Sequence, residues 1–362
     1  MRPAGLALAL VLTPLGCGGD DGSAGETEAP TTSAASGSGP GTSADEGSET
    51  VTADATGNPG AGWQVVAELG VERGMAMSVF GASASEVRVA GGQRSAEGST
   101  GFMLLRAAET WEPEPLPADV PMLNWVGRAG DDLWAVGLDG AALRLEDGAW
   151  VSHVTPTDVT LWGVWGSGVD DLWAVGGDGV GEAPTLLRFD GTAWSMEALP
   201  ALSPDAHALF KVWGWDAEHV YVAGDHGIVM RRSGGSWEAT ELGSIAPMIA
   251  LWGGGADEVV AVGGRSNARI ARWDGASWQD ATLDEPGLNG VWLDSSGTAT
   301  LVGRLGGIFE LPPGSLEPRG EQPVTNLLLH AVHGFDDGSR IAVGGSFEGA
   351  PPWVGVILEH PG

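Results

Sequence analysis

A short pattern recurs through the last three hundred or so residues and constrains the fold more than any other feature of the chain. Its clearest copy, Trp165–Gly176, reads Trp-Gly-Ser-Gly-Val-Asp-Asp-Leu-Trp-Ala-Val-Gly. The final glycine of each copy serves as an anchor, and the anchors lie 39 to 48 residues apart: Gly91, Gly137, Gly176, Gly224, Gly263, Gly303 and Gly344. Strand-rich repeats of about 40 to 50 residues are typical of propeller blades. The seven anchors predict an all-β, seven-bladed β-propeller over residues 61–362.

Each repeat divides into four predicted strands. Repeat 3 shows them as short runs rich in β-branched and aromatic residues, bounded by Gly, Asp and Ser: 161–165, 171–175, 185–189 and 193–199. An Asp-Gly pair lies between the third and fourth strands of three repeats, at Asp147–Gly148, Asp190–Gly191 and Asp274–Gly275. We expect tight primed turns there, because glycine accepts a positive φ.

A tryptophan in the fourth, outer strand indicates how the ring closes. It recurs in five repeats, with leucine replacing it in the sixth: Trp111, Trp150, Trp194, Trp237, Trp278 and Leu316. Repeat 7 ends at Gly362 before any such strand, whereas 62–69, ahead of repeat 1, contains Trp63 in a strand-like run. We therefore expect this amino-terminal strand to complete the last blade and seal the ring.

Large side chains recur in the first, inner strand, eleven residues before each anchor: Phe80, Val126, Trp165, Trp213, Trp252, Trp292 and His333. Packing of neighbouring blades against one another needs such a ring, and adjacent glycines allow close approach. The alternative is that some of these rings line a stacking surface for a sugar or another flat ligand.

The amino terminus predicts export. Met1-Arg2 and the apolar run 4–12 have the length of a secretory signal core and are too short to span a bilayer. Leu15-Gly16-Cys17 resembles the cleavage site of bacterial lipoproteins, which implies that residues 1–16 are a lipoprotein signal peptide and that Cys17, the one cysteine of the chain, is the lipidated residue. Residues 18–60 are nearly devoid of apolar side chains and carry no Lys or Arg, so 17–60 is predicted to be a lipidated, disordered linker.

The formal net charge of −31 narrows the choice of partners. Nucleic acid and anionic membrane surfaces attract clustered Lys and Arg, which the sequence lacks, so no nucleic-acid partner is expected. The charge serves either solubility or a surface that binds cations or basic proteins. The expected membrane contact is through the lipid on Cys17, at the outer membrane or cell surface.

No catalytic set, cofactor motif or metal site emerges from the sequence. The Asp-Gly-x-x-Trp copies resemble the Asp-box turns of sialidase-like propellers, but their glycine follows the aspartate directly. Tyr221, the one tyrosine, occupies a packing position. His330 and His333 lie three apart on one strand, which places them on opposite faces. We expect no cofactor and no metal.

If a ligand site exists, the expected place is the mouth that carries the loops between second and third strands. The polar residues predicted there are Arg94, Asp139, Asp178, Asp225, His226, Arg265 and Arg304. The three arginines are candidates for binding a shared anion or carboxylate. Asp139 and Asp178 are equally explained as turn formers. Long loops are expected in repeats 1, 3 and 7, at 92–101, 177–185 and 345–353.

The repeats, taken with the amino terminus, resemble exported bacterial propeller lipoproteins of the Trp-Gly-x-x-x-x-Asp-Asp-Val/Leu-Trp-Ala-Val-Gly type, related to kelch, BNR and photosystem assembly factor-like propellers. The resemblance covers about residues 62–362, and repeats 1, 6 and 7 depart most, at Arg88, Thr300 and Ile341. It implies the fold but not the function. We expect an envelope-tethered, non-catalytic binding or scaffold propeller for a protein or a glycan. The alternative is a carbohydrate-active or other hydrolytic enzyme with its site in the propeller mouth.

Overall fold

The computed structural model describes residues 62–107, 110–177 and 183–362. Cys17, the predicted signal peptide and the predicted linker lie outside these residues. The described part consists of β-strands with three single-turn 3-10 helices, Leu138–Gly140, Asp225–Gly227 and Arg304–Gly306. None of its helices is long and apolar enough to cross a bilayer.

The strands follow the sequence repeats closely. Through repeat 3 they are β1 (Gln64–Leu69), β2 (Met75–Ser83), β3 (Glu86–Ser95), β4 (Gly98–Ala107), β5 (Thr110–Pro113), β6 (Leu123–Ala129), β7 (Asp132–Gly137), β8 (Ala142–Glu146), β9 (Ala149–His153), β10 (Leu161–Gly168), β11 (Asp171–Gly176), β12 (Thr185–Phe189) and β13 (Trp194–Met196). In repeats 4 to 7 they are β14 (Leu209–Asp216), β15 (His219–Gly224), β16 (Ile228–Ser233), β17 (Ser236–Glu241), β18 (Met248–Gly255), β19 (Glu258–Gly263), β20 (Arg269–Trp273), β21 (Trp278–Thr282), β22 (Leu288–Leu293), β23 (Ala299–Gly303), β24 (Ile308–Leu311), β25 (Arg319–Gly320), β26 (Leu328–Gly334), β27 (Arg340–Gly345) and β28 (Gly355–His360).

These strands form five four-stranded sheets and one eight-stranded sheet. The eight-stranded sheet holds repeats 2 and 3, which a single parallel residue pair, Gly166 with Ala129, joins through β10 and β6. Within every repeat the strands pair antiparallel in chain order. The first strands contact one another in succession, and β26 of repeat 7 contacts β2 of repeat 1. The sheets therefore surround a central channel lined by first strands, which is the arrangement of a β-propeller.

The amino-terminal strand closes the last sheet, as the sequence predicts. β1 pairs antiparallel with β28, from Gln64 opposite Glu359 to Leu69 opposite Gly355. Trp63 is buried beside it, and its ring meets that of His360 at a centroid distance of 5.6 Å. The pairing joins the two ends of the described chain in one sheet, so β28 has no free edge.

Neighbouring repeats pack a tryptophan of one first strand onto a glycine of the next. A Cβ atom added at Gly214 would lie 2.5 Å from the ring of Trp165, and one added at Gly334 would lie 2.5 Å from the ring of Trp292. Trp213 covers Gly253 in the same way. Any larger side chain at these glycines would collide with the ring, which is the physical reason for the repeated Trp-Gly pair.

The outer-strand tryptophans form a second layer of contacts between repeats. Trp194 packs edge-on against Trp134 of the preceding repeat, with ring centroids 5.5 Å apart, and Trp237 does the same with Trp173 at 5.1 Å. Edge-to-face aromatic pairs of this kind add about 0.5–1.5 kcal/mol each beyond their buried area. In repeat 6, Leu316 packs against the core but lies between β24 and β25, outside the strand predicted for it.

Repeat 1 replaces the aromatic contact with a buried ion pair. Arg88 stands where repeats 2 and 3 have tryptophan, and its Nε and Nη2 donate to the two carboxylate oxygens of Glu114 at 2.9 and 3.0 Å. The indole Nε1 of Trp150 donates to the same carboxylate at 2.9 Å. Glu114 thereby joins repeats 1 and 2, because it accepts hydrogen bonds from both.

The predicted turns are correct at one Asp-Gly pair and wrong at two. Asp147 and Gly148 form a two-residue turn with φ of 49° and 81°, as a primed turn requires. Asp190 and Asp274 instead begin four-residue loops, in which the carboxylate accepts two backbone N–H bonds. An aspartate that bonds its own loop in this way favours a longer turn.

The long loop expected at 92–101 in repeat 1 is instead part of a regular hairpin. β3 and β4 pair without interruption up to Ser95 opposite Gly98, so only two residues turn at the tip. Gly92 and Gly101 lie inside the ladder, where both have backbone atoms of other residues close by. The small, polar residues of this segment suggested a loop because glycine weakens the strand pattern.

Candidate functional site

The ring has two chemically different ends. The hairpins that join first to second strands lie at one end, here called the 1–2 end. The hairpins that join second to third strands, together with the connections between repeats, lie at the other, here called the 2–3 end. Since strands pair antiparallel throughout, the last residues of each first strand approach the 1–2 end and its first residues approach the 2–3 end.

A pocket of about 240 Å³ opens at the 1–2 end of the channel. Its walls come from the last residues of the first strands of repeats 1 to 5, and aromatic side chains dominate them: Phe80, Trp125, Gly127, Arg128, Gly130, Val164, Trp165, Gly166, Val212, Trp213 and Trp252. The rings of Phe80, Trp125, Trp165 and Trp252 are partly exposed in it. The interpretation that some ring residues line a stacking surface is thus consistent with the geometry, while Trp213 is buried.

A glycine takes the ring position of repeat 2 in this pocket, and a Cβ atom added at Gly127 would lie 2.9 Å from the indole Nε1 of Trp125. Alignment on the anchor glycines predicted Val126 in the aromatic ring, and that prediction is wrong. Gly127 pairs with Trp134 as Trp165 pairs with Trp173, whereas Val126 is buried between sheets. The first strand of repeat 2 lacks the second bulge that repeat 3 has between Gly166 and Gly168, so its register differs by one residue.

Four rings make a continuous arc around the opening. Trp213 and Trp252 have centroids 6.2 Å apart, Trp252 meets His333 edge-on at 6.2 Å, and His333 meets Phe80 at 5.1 Å. Burial lowers the pKa of His333 to about 4, and its Nε2 lies 3.0 Å from the carbonyl oxygen of Gly81. His333 is therefore neutral at pH 7 and donates to that carbonyl, so the arc carries no positive charge.

Deeper in the channel, a lysine lies over a tryptophan ring. The Nζ of Lys211 is 3.1 Å from the ring centroid of Trp125. Burial lowers the pKa of Lys211 well below its usual range. His330 lies towards the 2–3 end, where it packs against Phe347, and burial with the nearby Lys211 lowers its pKa to about 3. The channel interior thus favours the uncharged form of both groups.

Acidic side chains surround the 1–2 end. Twelve carboxylates lie in or directly beside its hairpins: Glu86, Asp131, Asp132, Asp170, Asp171, Asp216, Glu218, Asp257, Glu258, Asp294, Asp336 and Asp337. The arginines of the same hairpins are Arg128 and Arg340, and Arg128 lines the pocket. Several carboxylates are held by arginines of the third strands, as Asp132 is by Arg144 at 2.6 Å. Others, including Asp131, Asp170, Asp257 and Asp336, are exposed.

The 2–3 end carries a polar cleft instead. It measures about 360 Å³ and is lined by residues of repeats 5 and 6: Ser266, Asn267, Asp284, Glu285, Pro286, Arg304 and Leu305. Arg304 is already engaged, because its Nη2 lies 2.6 Å from Glu348 and its Nη1 donates to the carbonyl oxygen of Arg265 at 2.8 Å. The ion pair with Glu348 compensates the guanidinium charge that an anion would need.

The predicted site residues do not form one cluster. Arg304 and Arg265 meet through the Arg265 backbone, and Asp225 lies 3.4 Å from its neighbour His226. Arg94 is exposed on the β3–β4 hairpin. Asp178 lies outside the described residues.

Two of these residues have a clear conformational role. Asp139 and His226 adopt positive φ values of 54° and 53° at the centres of the turns between second and third strands, and Leu305 does so at 56° in repeat 6. The equivalence shows that the turn imposes the conformation, since three different side chains adopt it. Asp139 is explained by this turn, because Asp tolerates the left-handed region better than most residues.

Sequence reasoning missed Trp125, Arg128 and Lys211. One signal was available in the hairpin lengths, once Gly127 is aligned with Trp165. Five residues, Arg128 to Asp132, separate Gly127 from the second-strand Leu-Trp pair of repeat 2, whereas six, Gly166 to Asp171, separate Trp165 from that pair in repeat 3. Lys211 gave no such signal, because its burial depends on the closed ring. Within the described ranges, no three His, Cys, Asp or Glu side chains are placed to hold a metal ion.

No protein-family model matches the chain, and no curated protein matches its sequence. Solved structures do match. The WD40 β-propeller domain of Doa1 has a TM-score of 0.59 and 12% identity, over 82% of this chain and 97% of that one. YCF48 bound to D1 peptide gives 0.59 and 14%, over 85% and 98%. A catalytically inactive virginiamycin B lyase from Staphylococcus aureus with quinupristin gives 0.65 and 11%, over 83% and 99%. Similarity at these identities establishes the β-propeller fold alone.

Proposed function

We propose that this chain is an exported, lipid-anchored, seven-bladed β-propeller that binds a protein partner at the cell envelope without catalysis. The count of seven treats the eight-stranded sheet as two blades, because one parallel residue pair joins its halves. The anchor is the lipid on Cys17, and residues 18–60 space the propeller from the membrane.

The observation that carries the binding function is the aromatic opening at the 1–2 end. Partly exposed tryptophans on rigid strands are the side chains that most often dominate protein interfaces. The opening is built from strand residues, so it is held in place without a partner. One structural neighbour, YCF48, is seen with a peptide, which supports a peptide-binding role for this fold. No observation in the described residues favours the hydrolytic alternative.

Site-specific photo-crosslinking of the full-length protein in its native cells tests the proposal. A photoreactive residue at Val169 or Trp215 reports on the 1–2 end, and one at Leu305 or Phe347 reports on the 2–3 end; all four side chains are exposed. We expect protein adducts from Val169 and Trp215 only. Adducts from neither end, or adducts made of glycan, would refute protein binding.

The anchor is tested separately with Cys17→Ser. We expect the wild-type protein in the membrane fraction with a lipid label on Cys17, and the variant to be released and unlabelled. A labelled, membrane-bound variant would contradict the lipid anchor while leaving the binding function open to the crosslinking test.

A further inference from the structure

The 1–2 end combines two features that each attract cations. Partly exposed aromatic rings line the opening, and a cation placed over the face of such a ring, within about 6 Å of its centroid, is attracted to it. Around them lie the twelve carboxylates of the 1–2 hairpins. Four of these, Asp131, Asp170, Asp257 and Asp336, are exposed and make no ion pair in the described structure.

The positively charged groups near the opening do not cancel the negative charge of these carboxylates. Arg128 is the arginine in the pocket wall, against the four exposed carboxylates that make no ion pair in the described structure. Arg340 is turned to Thr300 and His360. His333 is neutral at pH 7, and burial lowers the pKa of Lys211 well below its usual range. The opening is therefore aromatic and set in a strongly negative surround.

Resting on the proposed function, we infer that the partner presents a segment rich in arginine or lysine. One cationic side chain enters the aromatic opening, and flanking cations meet the exposed carboxylates. The pocket volume of about 240 Å³ suits a single side chain and excludes a helix, which is about 10–12 Å wide. The 2–3 end also carries acids, but its hairpins add Arg94, Arg265 and Arg304, and its cleft is polar and not aromatic.

Two variants of equal charge test the inference. The first neutralises the 1–2 end with Asp131→Asn, Asp170→Asn, Asp257→Asn and Asp336→Asn. The control neutralises four exposed acids at the other end with Glu97→Gln, Asp158→Asn, Asp205→Asn and Asp284→Asn. Both raise the formal net charge of −31 by four, so a difference between them reports position and not total charge.

The probes are capped hexa-arginine, hexalysine and hexaglutamate peptides, titrated into the full-length protein by calorimetry and tryptophan fluorescence. We expect the two cationic peptides to bind and hexaglutamate not to bind. Affinity for hexa-arginine should fall at least tenfold in the 1–2 variant and less than twofold in the control. Equal losses in both variants would overturn the inference, since they would show attraction by net charge alone.

Trp252 tests the aromatic part. We expect Trp252→Leu to weaken hexa-arginine binding about fivefold to tenfold and Trp252→Phe to restore most of it, with unchanged circular dichroism. Equal affinities for both variants and the wild type would overturn the aromatic role. If photo-crosslinked protein forms at the 1–2 end while no cationic peptide binds, the proposed function stands and this inference fails.

Discussion

The two ends of the ring are built from the same repeats but differ in chemistry. The 1–2 end holds an aromatic pocket among acidic hairpins, whereas the 2–3 end holds a polar cleft, hairpins with both acids and arginines, and turns with positive φ. Packing between neighbouring repeats requires large side chains in the first strands, and some of these rings are partly exposed where they line the pocket. Hairpin residues are free of that constraint, and the difference between the ends shows where function can be added without altering the fold.

Removal of the closing strand should have the largest effect, because both ends depend on a closed ring. Deletion of 62–69 removes the partner of β28 and exposes the core beneath Trp63 and Leu69. We expect the free energy of unfolding to fall by more than about 4 kcal/mol. Thermal unfolding followed by circular dichroism measures it, with deletion of 42–49 as a control of equal length. An unchanged melting temperature would contradict closure by β1.

The second-largest effect should be a difference in how much two ion pairs, one more buried than the other, contribute to stability. Arg88 and Glu114 have side chains only 8% and 12% exposed, whereas Arg304 and Glu348 are 36% and 40% exposed. Glu114→Ala leaves the buried Arg88 guanidinium with only Glu86, whose side chain is 56% exposed, as an ion-pair partner, and should cost about 3 kcal/mol. Glu348→Ala should cost less than about 1 kcal/mol, because water screens the pair. Urea unfolding of both variants gives the comparison, and similar values would show that burial does not separate these ends.

The 1–2 end should also make the fold sensitive to acid. The folded pKa of His333 is about 4, below its ordinary value of 6.5, so the unfolded chain binds more protons between those pH values. This contribution is present above pH 6.5 and is lost as the pH falls towards 4, up to about 3 kcal/mol.

His333→Gln keeps a donor for the Gly81 carbonyl but does not titrate. We expect a shallower loss of stability between pH 6.5 and 4 in urea unfolding measurements. His226→Asn, at the 2–3 end, should keep the wild-type slope. If the His333 variant matched the wild type across this range, the buried neutral imidazole would not be responsible. His330, whose pKa is about 3, continues the loss at lower pH.

The smallest effect concerns the turns of the 2–3 end. Leu305 is 59% exposed and has a φ of 56°, a conformation that costs a branched side chain about 1 kcal/mol. Leu305→Asn should therefore raise stability by about 0.5–1 kcal/mol, since Asn tolerates this region. The same change at Leu311, which is buried in β24, should destabilise the protein. A loss of stability at Leu305 would show that its side chain contributes contacts that outweigh the strain.

The repeat period predicted most of the strands, because each repeat must bury the same faces against its neighbours. Thr185–Phe189 and the closing strand before repeat 1 were both found where the pattern places them. The predictions failed where the number of residues in a turn or hairpin sets the loop conformation or the strand register. The four-residue loops at Asp190 and Asp274 and the shifted register at Gly127 are of this kind. The sequence predicted most of the aromatic residues that line the pocket, but it did not predict the pocket that they enclose.

The sequence by itself determined an all-β repeat architecture, the position of its closing strand and the packing role of most tryptophans, since periodic apolar residues and Trp-Gly pairs specify contacts that recur in every repeat. Only the tertiary structure decided which rings remain exposed, that Lys211 lies over Trp125 in the channel, and that the pocket at the 1–2 end is aromatic whereas the cleft at the 2–3 end is polar. The physical reason is that these properties arise between residues far apart in the chain, such as Gly81 and His333. Their distances are set by closure of the ring and not by any local pattern.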